Sequence, residues 1–98
     1  MPKAPRSDYF QVHSHSEFSV LDGMGRVGDM VERAARLGHP ALALTDHGTM
    51  AGSVRLYQAC QKHGIAPFPG IEVYVVTDVN DPDARDKRFH MGLLALDF

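Results

Sequence analysis

Apolar positions along the chain follow two different periods. From Val27 they recur at Met30, Val31, Ala34, Ala35 and Leu37, the i, i+3, i+4, i+7 spacing of a helix with one buried face. Gly38 can take the left-handed backbone that closes a helix, and Pro40 stops the helix resuming. Ala41-Leu42-Ala43-Leu44-Thr45 then runs without polar alternation, the pattern of a strand covered on both faces, as in parallel sheets. The same order repeats: a helix carrying Val54, Leu56, Tyr57 and Cys60 ends at His63-Gly64, and Pro67 leads into a strand from Phe68 to Val76. Two such units in succession predict right-handed βαβ crossovers and a parallel sheet.

Two further segments flank this core. Tyr9-Phe10-Gln11-Val12-His13 is a short β-prone run and is expected as the first strand, preceded by an N-terminal tail over residues 1–8. Thr77 to Lys87, rich in Asp with Asn80 and Pro82, is expected as a loop, and Phe89 to Leu96 as a fourth strand. The fold class is therefore α/β, with about four strands and two helices in one domain over residues 9–98. An open sheet of that size leaves an edge and a face bare, so a further stretch of polypeptide is expected to complete it.

Composition narrows the function classes. Hydrophobic residues make up 44% and charged residues 22% of the 98, which places the chain among globular domains rather than disordered or fibrous ones. The formal charge of -2 offers no strongly basic footprint, so any contact with DNA would be local or metal-mediated. Arg85, Lys87 and Arg88 are interrupted by Asp83 and Asp86 and read as a solvated loop. No apolar run approaches the roughly 20 residues of a membrane span, and the first residues lack the apolar stretch of a secretory signal; a cytoplasmic location without membrane contact is expected. Cys60 is the single cysteine, which excludes an internal disulfide and a four-cysteine zinc site and turns attention to histidine.

In α/β sheets, ligands bind beyond the carboxyl ends of strands. The first predicted strand ends in His13-Ser14-His15, the second in Thr45-Asp46-His47-Gly48, the third carries Glu72 and the fourth begins with His90. His13 and His15, two residues apart in an extended segment, project from one face and can grip one cation or two adjacent ones; alone, such a pair is as compatible with a surface role as with metal binding. Asp46 and His47 at the end of an apolar strand are costly to bury unless paired or metal-bound, and an aspartate there can hold a ligating imidazole from behind. Glu72 interrupts Ile71-Glu72-Val73-Tyr74-Val75 and either faces solvent or serves a cation. Asp22, before Gly23, reads by itself as a turn residue. His39, in the turn after the first helix, and His63, in the last turn of the second, have ordinary structural explanations.

Three ordered segments resemble a known family. Val12-His13-Ser14-His15-Ser16-Glu17-Phe18-Ser19-Val20-Leu21-Asp22-Gly23, Pro40-Ala41-Leu42-Ala43-Leu44-Thr45-Asp46-His47-Gly48 and Gly70-Ile71-Glu72-Val73-Tyr74 are similar to successive motifs of the PHP phosphoesterases, most of all the branch that opens the alpha subunits of bacterial DNA polymerase III. The resemblance runs from about Tyr9 to the end of the chain. It implies the first half of a distorted seven-stranded β/α barrel whose complete site holds up to three divalent metals, zinc, manganese or iron. His13, His15, Asp22, His47, Glu72 and His90 match its early ligands, with Glu72 as the bridge between two metals, while Met91-Gly92 stands where the family motif has Leu-Thr. The family's remaining ligands lie beyond Phe98.

The activity implied is phosphoester hydrolysis by a metal-activated hydroxide, and in several polymerase lineages 3′ to 5′ proofreading, with a DNA 3′ end as partner. The rest of the alpha subunit or a second chain would complete the barrel. Two alternatives accompany this expectation: a non-catalytic scaffold supporting the polymerase, and a small-molecule phosphatase of the histidinol phosphatase type.

Overall fold

A computed structural model describes residues 4–20 and 23–97. Its elements are α1 (Val27–Arg36), β1 (Ala41–Leu44), α2 (Ser53–His63), β2 (Ala66–Val75), a 3-10 turn (Ala84–Lys87) and β3 (Phe89–Leu94). The sheet order is β1-β2-β3. β1 and β2 are parallel, with Ala41 opposite Ala66 and Leu44 opposite Pro69. The α/β class stands.

Both helices close as their sequences predict. Gly38 and Gly64 take left-handed backbone, φ 79° and 71°, and the amides of Gly38 and His39 return to the carbonyls of Ala35 and Ala34. Asp29 in the first turn of α1, and Arg33 and Arg36 in its last, suit the helix dipole. The buried stripe of α1, Val27, Val31, Ala34 and Ala35, packs with Leu42, Leu44, Leu56, Cys60 and Ile65 into one core. Burial pushes the Cys60 thiol up to about 11. The segment expected as a tail is partly fastened: Ala4 N–H donates to Arg36 O and Ser7 N–H to Gly38 O, and Pro5 O sits where a Cβ on Gly38 would be.

Two expectations are corrected. Tyr9–His13 is not a strand, so the sheet has three strands among the described residues rather than four. The segment does run beside β1, where Ala43 N–H donates to Gln11 O at 3.1 Å and Thr45 N–H to Ser14 O at 2.9 Å. Between those bonds it advances one residue more than β1 does, and the His13 carbonyl is taken by the Gln11 side chain instead. The extra residue breaks the ladder as a bulge would.

The second correction concerns β3, which pairs antiparallel to β2, Val75 opposite Phe89 and Gly70 opposite Leu94. The connection after β2 carries only the short 3-10 turn, and without a crossover helix the chain cannot return parallel. Its consequence is uneven cover. Every residue of β1 is buried and every residue of β3 is exposed, including Phe89, Met91, Leu93 and Leu94. Among the described residues no helix is long and apolar enough to cross a membrane.

Candidate metal centre

Backbone pairing continues past the end of β1 and assembles the site. Glu72 N–H donates to Asp46 O and Gly48 N–H to Glu72 O, both at 2.9 Å, so His47 lies alongside Glu72 in a parallel bridge. On the other side of β2, Glu72 is opposite Gly92 and Tyr74 opposite His90. Thr45 and Ser14 hold the His13-Ser14-His15 segment over the same end of the sheet: besides the main-chain bond, Ser14 N–H donates to Thr45 Oγ1 at 3.2 Å, and the Ser14 hydroxyl donates to Ala43 O.

Four histidines converge on one carboxylate. The ring nitrogens of His13 and His15 lie 2.9 and 2.5 Å from Glu72 Oε2, His90 Nδ1 lies 2.9 Å from Oε1, and His47 Nε2 lies 3.6 Å from Oε2. They form two groups, His13–His15–Glu72 and His47–Glu72–His90, within each of which the ligand atoms lie within 4.8 Å of one another. Glu72 belongs to both. His15 and His47, with side chains 19% and 14% exposed, form the inner pair, their ring centroids 4.2 Å apart; His13 and His90, 62% and 48% exposed, form the mouth. An open cleft of about 460 Å³ lies there, lined by Val12, His13, Thr45, Glu72, His90, Gly92 and Leu94.

The electrostatics oppose and then settle. Burial pushes the Glu72 carboxyl upward, but hydrogen bonds from His13, His15 and His90 and the charge of His47 outweigh it and hold the group at about 2. As proton donors, the rings would crowd several N–H groups onto two oxygens. As neutral ligands, their lone pairs together with one carboxylate charge suit a divalent cation that accepts mixed nitrogen and oxygen donors. The residues present fit such a group.

Asp46 is buried, but its role differs from the sequence expectation. Its carboxylate accepts the Ser16 N–H at 2.6 Å, the Ser16 hydroxyl at 2.8 Å and the Ser19 hydroxyl at 2.8 Å. Ser19 Oγ in turn accepts the His47 N–H at 2.9 Å. Asp46 thus clamps the turn after His15 to the end of β1, and positions His15 and His47 through the main chain rather than by gripping an imidazole. Ser16 and Ser19, both buried, carry no sequence signal beyond two small hydroxyls where the chain must be pinned. Glu72 is buried, not solvent-facing. Asp22 lies outside the described residues. His39 packs edge-on against Tyr9 and His63 closes α2; neither belongs to either ligand group.

The profile of the PHP domain family matches residues 11–97. The DNA polymerase III subunit alpha of Chlamydia pneumoniae is 40% identical over 80 residues, covering 82% of this chain and 6% of that protein. The Borreliella burgdorferi subunit is 34% identical over 94 residues, covering 92% and 8%. Among solved structures, a candidate metal-dependent phosphoesterase from Bifidobacterium adolescentis superposes with a TM-score of 0.72 at 29% identity, covering 96% of this chain and 29% of that one. An amidohydrolase from Chromobacterium violaceum, with sulfate bound and no metal, gives 0.67 at 28% identity, covering 87% and 27%. The chain spans well under a tenth of the length of these polymerase subunits and under a third of these solved chains.

Proposed function

Because this chain belongs to the PHP family and has the α/β architecture of the opening part of a PHP barrel, we propose that it forms the first part of a metal-dependent phosphoesterase site of the polymerase III alpha type. The observation that carries this is the position of Glu72 in both ligand groups, as a carboxylate shared between two adjacent cations requires. His13, His15, His47, Glu72 and His90 would hold the cations, zinc, manganese or iron and up to three in a complete site, with Asp22 added on the family resemblance alone. Divalent cations held there would supply Lewis acidity, which lowers the pKa of water and offsets phosphate charge.

The chain's own residues prepare for that chemistry. Glu72 stays ionised throughout the working pH range and offers an oxygen to each group. Asp46 fixes the two inner imidazoles by fastening their loops. The exposed mouth at His13 and His90 leaves the cleft open to a phosphoester. The substrate class proposed is a phosphodiester at a DNA 3′ end, hydrolysed in the cytoplasm as proofreading within a longer polymerase protein. The bare apolar β3 supports completion of the barrel by a further stretch of polypeptide, either the rest of an alpha subunit or a second chain.

Elemental analysis of protein purified without chelator is the test. Roughly one or more zinc, manganese or iron per chain, lost in His13→Ala with His15→Ala and in Glu72→Gln, is the expected result. Release of nucleotides from a 3′-labelled single strand, with histidinol phosphate as the competing substrate, then decides between the polymerase-type and small-molecule readings. Wild-type protein without metal would leave the scaffold role in place of the enzymatic one.

A further inference from the structure

The basic cluster that reads as one solvated loop comes apart in the structure. Lys87 is paired with Asp81 at 3.0 Å, and Arg85 lies in the 3-10 turn. Arg88 differs: its guanidinium carbon sits 4.0 Å from the centroid of the Tyr74 ring. The Arg88 backbone is extended, φ -82° and ψ 149°, and leads directly into β3. Side chains two residues apart on extended backbone share a face, about 6–7 Å apart along the strand. Arg88 therefore stands on the same face as His90, and Tyr74, opposite His90, stands there with it.

Tyr74 joins the arginine to the candidate centre. Its ring lies edge-on to His90 at 5.0 Å between centroids and nearly parallel to His47 at 6.2 Å. A guanidinium lying on an aromatic face uses its π surface for the ring and keeps its N–H edge free for an anion. Among the described residues no carboxylate lies within ion-pair distance of Arg88. Its charge is thus held on Tyr74, on the sheet face that carries His90 and Glu72, with no ion-pair partner among the described residues. A phosphate has the paired oxygens that a guanidinium fork matches.

We propose that Arg88, braced on Tyr74, binds the phosphate oxygens of the substrate at the mouth of the centre and selects phosphoesters over uncharged esters. The inference rests on the phosphoesterase reading, and its test separates the two. Inorganic phosphate binding would be measured by titration calorimetry on the manganese-loaded chain, with metal content determined in parallel, for the wild type, Arg88→Ala, Arg88→Lys, Arg85→Ala, Tyr74→Phe and Tyr74→Leu.

The expected result is unchanged metal content in every variant. Phosphate affinity should fall about tenfold or more in Arg88→Ala and Tyr74→Leu, fall less in Arg88→Lys, which keeps the charge but loses the fork, and stay near wild type in Arg85→Ala and Tyr74→Phe. Arg88→Ala with full phosphate affinity overturns this inference and leaves the metal centre standing. Equal losses in Arg88→Ala and Arg85→Ala also overturn it, since they reduce the effect to general attraction. A wild-type chain that takes up neither manganese nor phosphate removes the phosphoesterase reading and the role of Arg88 with it.

Discussion

Asp46 holds Ser16 at two points, accepting its main-chain N–H at 2.6 Å and its hydroxyl at 2.8 Å. Its carboxylate also accepts the Ser19 hydroxyl, and all three residues are buried, so removing the carboxylate strands three donors that water cannot easily reach. Asp46→Ala is expected to cost about 2–4 kcal/mol in urea unfolding. It should also weaken metal binding roughly 10- to 100-fold in chelator competition, because His15 and His47 flank the clamp. Ser19→Ala, which removes one of the three bonds to Asp46 and the acceptor of the His47 N–H but leaves both Ser16 bonds, should lose less stability.

Glu72 gives a pH prediction for the metal-free chain. In the unfolded chain this carboxyl takes up its proton near pH 4.5, and in the folded chain only near about 2. The unfolded state therefore binds more protons across that interval. The contribution is fully present above pH 4.5 and is lost as pH falls to about 2. Its size is at most about 3 kcal/mol, reduced by the water that reaches the outer histidines. Denaturant titrations on chelator-treated protein should find wild type losing more stability between pH 5 and 2.5 than Glu72→Gln does. Parallel curves would mean that the histidines do not engage Glu72 in solution.

Cys60 is fully buried, and burial holds its thiol at about 11. The thiolate needed for alkylation or disulfide exchange is scarce at neutral pH and shielded as well. Reaction with a chromogenic disulfide reagent at pH 8 should be slow in the folded chain and rapid in denaturant. Fast labelling under native conditions would show that α1 and α2 part readily.

The legibility of this chain divides along local and distant causes. The helices and their glycine closures, at Gly38 and Gly64, depend on residues within a few positions of each other, and they appear where periodicity places them. His13, His15, His47, Glu72 and His90 were nameable because strand ends gather ligands and because three motifs resemble a family. That all four rings meet one carboxylate depends on pairings between segments up to 59 residues apart, which no local pattern encodes. The same holds for the misread elements. Tyr9–His13 is β-prone, but one extra residue against β1 prevents a ladder. The direction of β3 was set by the lack of a helix in its connection. The clamp from Asp46 to Ser16 and Ser19 spans about thirty residues and has no signature beyond the serines themselves.

Gly92 lies directly opposite Glu72, on the cleft wall between His90 and Leu94, and open space surrounds the position a Cβ would take. Its backbone is not left-handed, so a side chain there strains nothing. A larger residue would project into the cleft from the same face as Glu72. Gly92→Val is therefore expected to leave thermal stability unchanged or slightly raised, since glycine is a weak strand residue. Metal content should also hold, because no ligand moves. Access to the cleft should suffer: phosphate affinity and any phosphoester hydrolysis are expected to fall severalfold. Loss of metal together with phosphate would show instead that the cations need the space beside Gly92. Unaltered affinity would place the phosphate on the other side of the histidines, away from β3.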